Sequence, residues 1–135
     1  MHRLFLGANV LFTAAHNPEG KAAYLFDALN LKRWRLLSSA YAIEETRRNI
    51  AIKYPRCAAR LEALIGRLVE VGQPAPVRTA VSLPEKDQPI YLAALSAQAT
   101  HLLTGDQRHF GAHMNQPRAT GGIVIQTVAE FLASL

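Results

Sequence analysis

The chain is expected to be a single α/β domain, residues 1–135, with a mostly parallel sheet, and three observations predict this. Short apolar runs suited to buried strands alternate with segments of helical periodicity. Two of those runs end on turn-forming residues, at Gly7-Ala8-Asn9 and at Gly105-Asp106. Half of the 135 residues are hydrophobic, enough for a core without metal or disulfide staples. A chain of this length buries roughly two-thirds of its unfolded surface.

Taken in order, Leu4 to Leu6 reads as a buried strand entering a turn. Val10 to Ala15 starts a short helix that Asn17-Pro18-Glu19-Gly20 breaks, and Lys21 to Leu31 has apolar residues at helical spacing. Trp34 to Leu37 is a second strand, and Ser38-Ser39 can cap a helix from Ala40 to about Lys53. A further helix is expected from Pro55 to Val69, with Leu61, Leu64, Ile65 and Leu68 as its apolar stripe. Gly72 to Pro76 is a turn-rich connection, and Val77 to Val81 suits a third strand. Pro89 fits the first turn of a helix ending near Ala99, where its missing N–H does no harm. His101 to Thr104 and Ile123 to Gln126 are the remaining strands. Thr127 and Glu130 then form a capping box for a closing helix.

Fifteen Lys and Arg against ten Asp and Glu give a net charge of +5, a balance that suits a polyanionic partner. No stretch approaches the ~18 consecutive apolar residues of a membrane span, and the N-terminus has no signal-peptide pattern, so a cytoplasmic location is expected. Cys57 stands alone, which excludes an internal disulfide and fits an inert thiol.

No dinucleotide loop, Walker-type phosphate loop or GxSxG elbow is present. His109 and His113 are four apart, but Gly111 between them weakens a helix and no cysteine cluster completes a zinc site. What remains is oxygen chemistry: carboxylates, Asn9 and Thr104, which suit magnesium or manganese. Asp106 follows a strand directly and would point into the crevice at the sheet's carboxyl end, where ligands of such sheets collect. Taken singly, Asp106 and Asp87 also read as turn or cap aspartates. Glu45 also reads as a solvated helix residue, and periodicity does not favour it over Glu44.

The order Leu6-Gly7-Ala8-Asn9-Val10-Leu11-Phe12, then Ser38-Ser39, Glu45 and Arg48-Asn49, then Leu83-Pro84-Glu85-Lys86-Asp87 and Leu103-Thr104-Gly105-Asp106, resembles a PIN domain over nearly the whole chain. The likeness is greatest to bacterial members described as toxins of toxin–antitoxin systems. It implies a three-layer α/β/α fold and hydrolysis of RNA with Mg²⁺ or Mn²⁺ held by clustered acids. Glu45, Asp87 and Asp106 match three of those acids, in metal-binding and catalytic roles, while Asn9 and Thr104 match supporting polar residues. Arg47, Arg48, Lys86 and Arg108 lie near the acids in sequence and are candidate phosphate contacts. Single-stranded RNA, an antitoxin protein and a second copy of the chain are the partners the resemblance implies.

One position departs. The family carries an Asp two residues before the Asn, at the end of the first strand, and this chain has Gly7. Glycine brings no ligand oxygen. Two readings follow: a ribonuclease weakened at one ligand, and an inactive scaffold of the same fold that binds RNA or a protein partner. A phosphatase-type enzyme calls for an aspartyl nucleophile at that same place, and Gly7 denies it one.

Overall fold

Leu4, Phe5 and Leu6 are all fully buried, so the first strand is covered on both faces. Strands of that kind belong to parallel sheets sandwiched between helices. The computed structural model describes residues 1–135 except Arg78 and Ala80. Five strands form one sheet: β1 (His2–Leu6), β2 (Trp34–Ser39), β3 (Val69–Val71), β4 (His101–Leu103) and β5 (Val124–Gln126). Their spatial order is β3-β2-β1-β4-β5, and every pairing is parallel. The chain starts in the middle, moves out to β3, then crosses back to place β4 on the other side of β1. This reversal makes the carboxyl ends of β1 and β4 the topological switch point, where an open α/β sheet has its crevice.

The helices are α1 (Ala8–His16), α2 (Lys21–Tyr24), α3 (Ala40–Lys53), α4 (Ala58–Ile65), α5 (Gln88–Ser96), α6 (Gln107–Phe110) and α7 (Val128–Ala133). Side-chain alternation along the strands divides the core in two. Leu4, Leu6, Leu36 and Leu103 pack on one face with Leu11, Trp34, Leu61 and Phe131. Phe5, Leu37, Leu102 and Ile125 pack on the other with Ile90, Ala93 and Phe110. The three-layer expectation therefore holds, and among the described residues no helix is long and apolar enough to cross a membrane. The caps also hold. Ser39 Oγ accepts from Ala42 N at 3.3 Å, and Thr127 and Glu130 exchange both bonds of the capping box.

Three elements differ from the sequence reading. The helix expected over 21–31 stops at Tyr24. Asn30 Nδ2 takes the Tyr24 carbonyl at 2.7 Å and Trp34 Nε1 takes the Leu25 carbonyl at 3.1 Å, so side chains replace the next helical bonds. The helix expected over 55–69 is a 3₁₀ turn at Pro55–Cys57 followed by α4. Its end is released because Val69–Val71 pairs with Leu37–Ser39 as the edge strand. The strand expected at 77–81 lies partly outside the described residues, and β3 holds the third place in sequence. Cys57 is half-buried against the core and free.

Candidate active site

Three segments meet at the switch point. From β1, Gly7 is the N-cap of α1 with φ −69° and ψ 164°, an ordinary extended conformation. Its N–H donates to the Leu103 carbonyl at 3.1 Å, which locks the end of β1 to β4. Two residues on, the Asn9 amide clamps the loop after β4. Its Nδ2 donates to Thr104 Oγ1 at 3.3 Å, and its Oδ1 accepts from Gly105 N at 2.9 Å. Thr104 Oγ1 also accepts from Asp106 N at 3.0 Å. Asn9 and Thr104 thus fix the backbone that carries Asp106.

The other two acids come from the turn before α5 and from α3. Asp87 ends a 3₁₀ turn (Glu85–Asp87) and stands at the N-cap position of α5, yet its carboxylate makes no capping bond. It is 9% exposed. Tyr41 Oη, from α3, donates to the Lys86 carbonyl at 2.9 Å and holds this turn in place. Thr46 Oγ1, fully buried on α3, lies 2.8 Å from the Ala42 carbonyl and 3.3 Å from the Ala8 carbonyl, which fixes α3 against the start of α1. The neighbouring Glu45 consequently lines the cleft, whereas Glu44 is exposed and pairs with Arg47. That is the distinction periodicity left open. A cleft of about 290 Å³ is lined by Gly7, Asn9, Glu45, Asp87, Thr104 and Asp106 among others.

His109, set aside in the sequence as a zinc ligand beside His113, is the residue the structure brings to the acids. Asp106 caps α6 by accepting from His109 N at 3.0 Å, so the capping reading is also true of it. Its other oxygen, Oδ2, lies 2.8 Å from His109 Nδ1, and Asp87 Oδ2 lies 2.9 Å from the same nitrogen. Those distances suit ion pairs, but neither contact has the alignment of a hydrogen bond. Asp87 Oδ2 and His109 Nδ1 are left buried without a hydrogen-bond partner. Burial raises the Asp87 carboxyl above its ordinary value; His109 and Lys86 oppose the shift and Asp106 adds to it. One ligand atom from each of Asp87, Asp106 and His109 falls within 4.8 Å of the others, a set able to hold one divalent ion. The signal was present in the sequence: Asp106 and His109 stand at N-cap and third helical positions, the spacing of a capping box, which brings the two side chains together.

The basic candidates separate. Lys86 lines the cleft. The Arg47 guanidinium is bound to Glu62 by two nitrogens, at 2.9 and 2.8 Å, and also to Glu44, which raises its pKa and occupies its donors. Arg48 and Arg108 are exposed and do not line the cleft. Asn49, which carries part of the resemblance, and Lys53, which the sequence reading did not single out, do line it.

Comparison with known proteins agrees with the fold. No curated protein matches the chain. Among solved structures, VapBC2 from Rickettsia felis bound to a promoter DNA fragment superposes with TM-score 0.67 at 17% identity, covering 93% of this chain and 98% of that one. VapBC-1 from nontypeable Haemophilus influenzae gives 0.59 at 17%, covering 94% and 98%. FitAB bound to the IR36 DNA fragment gives 0.57 at 19%, covering 93% and 94%. These likenesses show the fold. The PIN domain family model matches residues 3–108, from β1 to two residues past Asp106, and the chain belongs to the PIN domain family.

Proposed function

We propose that this chain is a metal-dependent endoribonuclease, the toxin of a toxin–antitoxin pair, weakened because Gly7 stands at the first ligand position. The observation that carries the reading is the cluster at Asp87: its carboxylate and that of Asp106 converge on one His109 nitrogen at 2.9 and 2.8 Å, and Asp87 Oδ2 has no aligned hydrogen bond. Two part-buried carboxylates brought together are costly unless something cationic sits between them. Asp87 and Asp106 would hold Mg²⁺ or Mn²⁺, and Glu45, which lines the same cleft on α3 but lies outside their cluster with His109, would add its carboxylate. His109 adds a nitrogen donor, which favours Mn²⁺ over Mg²⁺. When bound, such an ion neutralises charge on a scissile phosphate and lowers the pKa of a coordinated water. The chain's own contribution is positional. Asn9 and Thr104 keep Asp106 in place, Tyr41 keeps the Asp87 turn in place, and Lys86 offers a cation to a phosphate beside them.

Membership of the PIN family and the +5 charge support RNA as the polyanion. The structural relatives are two-component VapBC and FitAB assemblies, which supports an antitoxin partner in the cytoplasm; a homodimer follows from the family resemblance. Gly7 favours a second reading, an inactive scaffold that binds RNA or that partner without cutting. Calorimetry with Mn²⁺, and cleavage of single-stranded RNA in Mn²⁺ against chelator, separate the two. Binding lost in Asp87→Asn, Asp106→Asn and His109→Ala, together with Mn²⁺-dependent cleavage by the parent chain, supports the nuclease. Mn²⁺ binding unchanged in all three variants would sink the shared site.

A further inference from the structure

The wall of the cleft leading away from the acids is not acidic. Glu45, Asn49 and Lys53 recur every four residues on α3, and all three line the cleft. Residues at that spacing share one face, and the row from Glu45 to Lys53 rises about 12 Å. On α1, Asn9, Phe12 and His16 occupy positions i, i+3 and i+7; Asn9 and Phe12 line the cleft, and His16 and Tyr54 lie just beyond its lining. The two rows meet in an aromatic group. His16 lies flat on Tyr54, with ring centroids 4.6 Å apart and planes 13° from parallel. Phe12 tilts against both, at 4.9 Å from His16 and 5.6 Å from Tyr54, and Lys53 Nζ stands 5.6 Å from the Phe12 centroid.

Packing accounts for Phe12, which rests against the core. It does not account for Tyr54, the residue just past the end of α3, which is 43% exposed. Flat aromatic faces beside a cation, on the wall of a groove, are how single-stranded nucleic acid is held without sequence readout: bases stack and the cation takes a phosphate. We infer that Tyr54, backed by His16 and Phe12, is a base-stacking subsite for single-stranded RNA, with Lys53 contacting the phosphate between that base and the acids. This rests on the ribonuclease reading and makes Tyr54 and Lys53 positioning residues of it. The aromatic and cationic chemistry favours RNA over a peptide strand.

The test uses the full chain in chelator, so that nothing is cut. The probe is a mixed-sequence single-stranded RNA of about ten nucleotides carrying 2-aminopurine, whose fluorescence falls when it stacks. The parent chain and Tyr54→Trp should both quench it. Tyr54→Leu keeps apolar bulk but no π face, so it should lose most of the quench and bind roughly tenfold more weakly. Lys53→Gln should reduce the salt dependence by about one phosphate contact. With Mn²⁺, Tyr54→Leu should raise KM and leave kcat nearly unchanged. If Tyr54→Leu destabilises the fold, Tyr54→Trp still decides the matter: a deeper quench than the parent's supports the subsite, and an identical quench overturns it. Parent-like quench and affinity in Tyr54→Leu, with RNA still bound and cut, would overturn the stacking subsite alone and leave this wall to packing or a protein partner. A parent chain that neither binds nor cuts RNA would overturn both this subsite and the ribonuclease reading.

Discussion

At the N-terminal edge of the sheet, buried polar groups are satisfied by one another. Asn30 Nδ2 donates to the Tyr24 carbonyl and its Oδ1 accepts from Arg33, whose guanidinium also lies 5.0 Å over the Trp34 ring. Trp34 Nε1 takes the Leu25 carbonyl and Arg67 the Phe26 carbonyl. At the carboxyl edge the framework is bonded in the same way, through Asn9, Thr104 and Tyr41, but the groups it presents are not. Asp87 Oδ2 and Asp106 Oδ2 converge on His109 Nδ1 at ion-pair distance, and neither Asp87 Oδ2 nor His109 Nδ1 has an aligned hydrogen bond. Both ends bury polar atoms, so burial alone does not mark a site. What differs is whether the buried group is completed by the fold or left for something else to complete.

The largest effect should come from the satisfied end. Trp34 is fully buried, with an edge contact to Phe131 at 5.3 Å. Trp34→Ala should cost about 3–5 kcal/mol in urea unfolding, because it opens a cavity and orphans the Leu25 carbonyl. Mn²⁺ affinity per folded molecule should not change. A loss of stability below about 1 kcal/mol would break the contrast from this side.

The next effect also belongs to the N-terminal edge. His101 opens β4, and burial, with a smaller contribution from nearby His2, lowers its pKa from 6.5 to about 4. Above pH 6.5 the ring is neutral in both folded and unfolded chains and contributes nothing. As pH falls from 6.5 to 4 the unfolded chain gains a proton that the folded chain refuses, so stability drops, by about 3 kcal/mol at most. Below 4 the loss is complete. His101→Gln should flatten unfolding free energy across this window, and an unchanged pH slope in that variant would assign the acid sensitivity elsewhere.

At the carboxyl edge the expected sign is reversed. Burial raises the Asp87 carboxyl, so its charge weakens the metal-free fold at neutral pH. Asp87→Asn should raise the melting temperature slightly in chelator while lowering Mn²⁺-dependent cleavage by at least about a hundredfold, or about 2.7 kcal/mol. A variant both less stable and still active would mean that Asp87 is a framework residue.

The sequence makes the scaffold of this site legible further than its chemistry. Strand and cap signals are local, so β1, β2, β4, β5, the Ser39 cap and the Thr127–Glu130 box could be read directly. The failures at 21–31 and 55–69 are tertiary: Asn30, Trp34 and the open edge of β2 ended helices that periodicity would have continued. Periodicity does not separate Glu45 from Glu44; the family resemblance matches Glu45, and Glu44 is the one paired with Arg47. That same pairing removed Arg47 from the cations that proximity in sequence had suggested. His109 was considered only as a zinc ligand beside His113, and its closeness to Asp106 follows from cap geometry, not from histidine spacing.

The smallest expected change tests Gly7 itself. Its φ of −69° is open to any residue, and a Cβ there would meet only Leu103 O at 3.4 Å and Asn9 Oδ1 at 3.9 Å. Glycine is therefore not required by the backbone. Asp is a better N-cap than Gly by a few tenths of a kcal/mol, and its charge suits the positive end of α1. Against this, a fourth carboxylate beside Glu45, Asp87 and Asp106 adds repulsion in the metal-free state. The two should nearly cancel, leaving the stability of Gly7→Asp within about 1 kcal/mol of the parent in chelator. With Mn²⁺ the balance changes: repulsion becomes attraction to the ion, and the variant should gain more thermal stability from Mn²⁺ than the parent does. Cleavage of single-stranded RNA should rise at least about tenfold, equivalent to about 1.4 kcal/mol. The measurement is a matched pair, each protein melted and assayed in Mn²⁺ and in chelator. A folded Gly7→Asp chain with no extra response to Mn²⁺ and no cleavage across varied RNAs would remove the latent nuclease and leave the scaffold reading. Equal, strong cleavage by both would mean that His109 already supplies the donor Gly7 lacks, and His109→Ala should then abolish activity in the parent but only weaken it in Gly7→Asp.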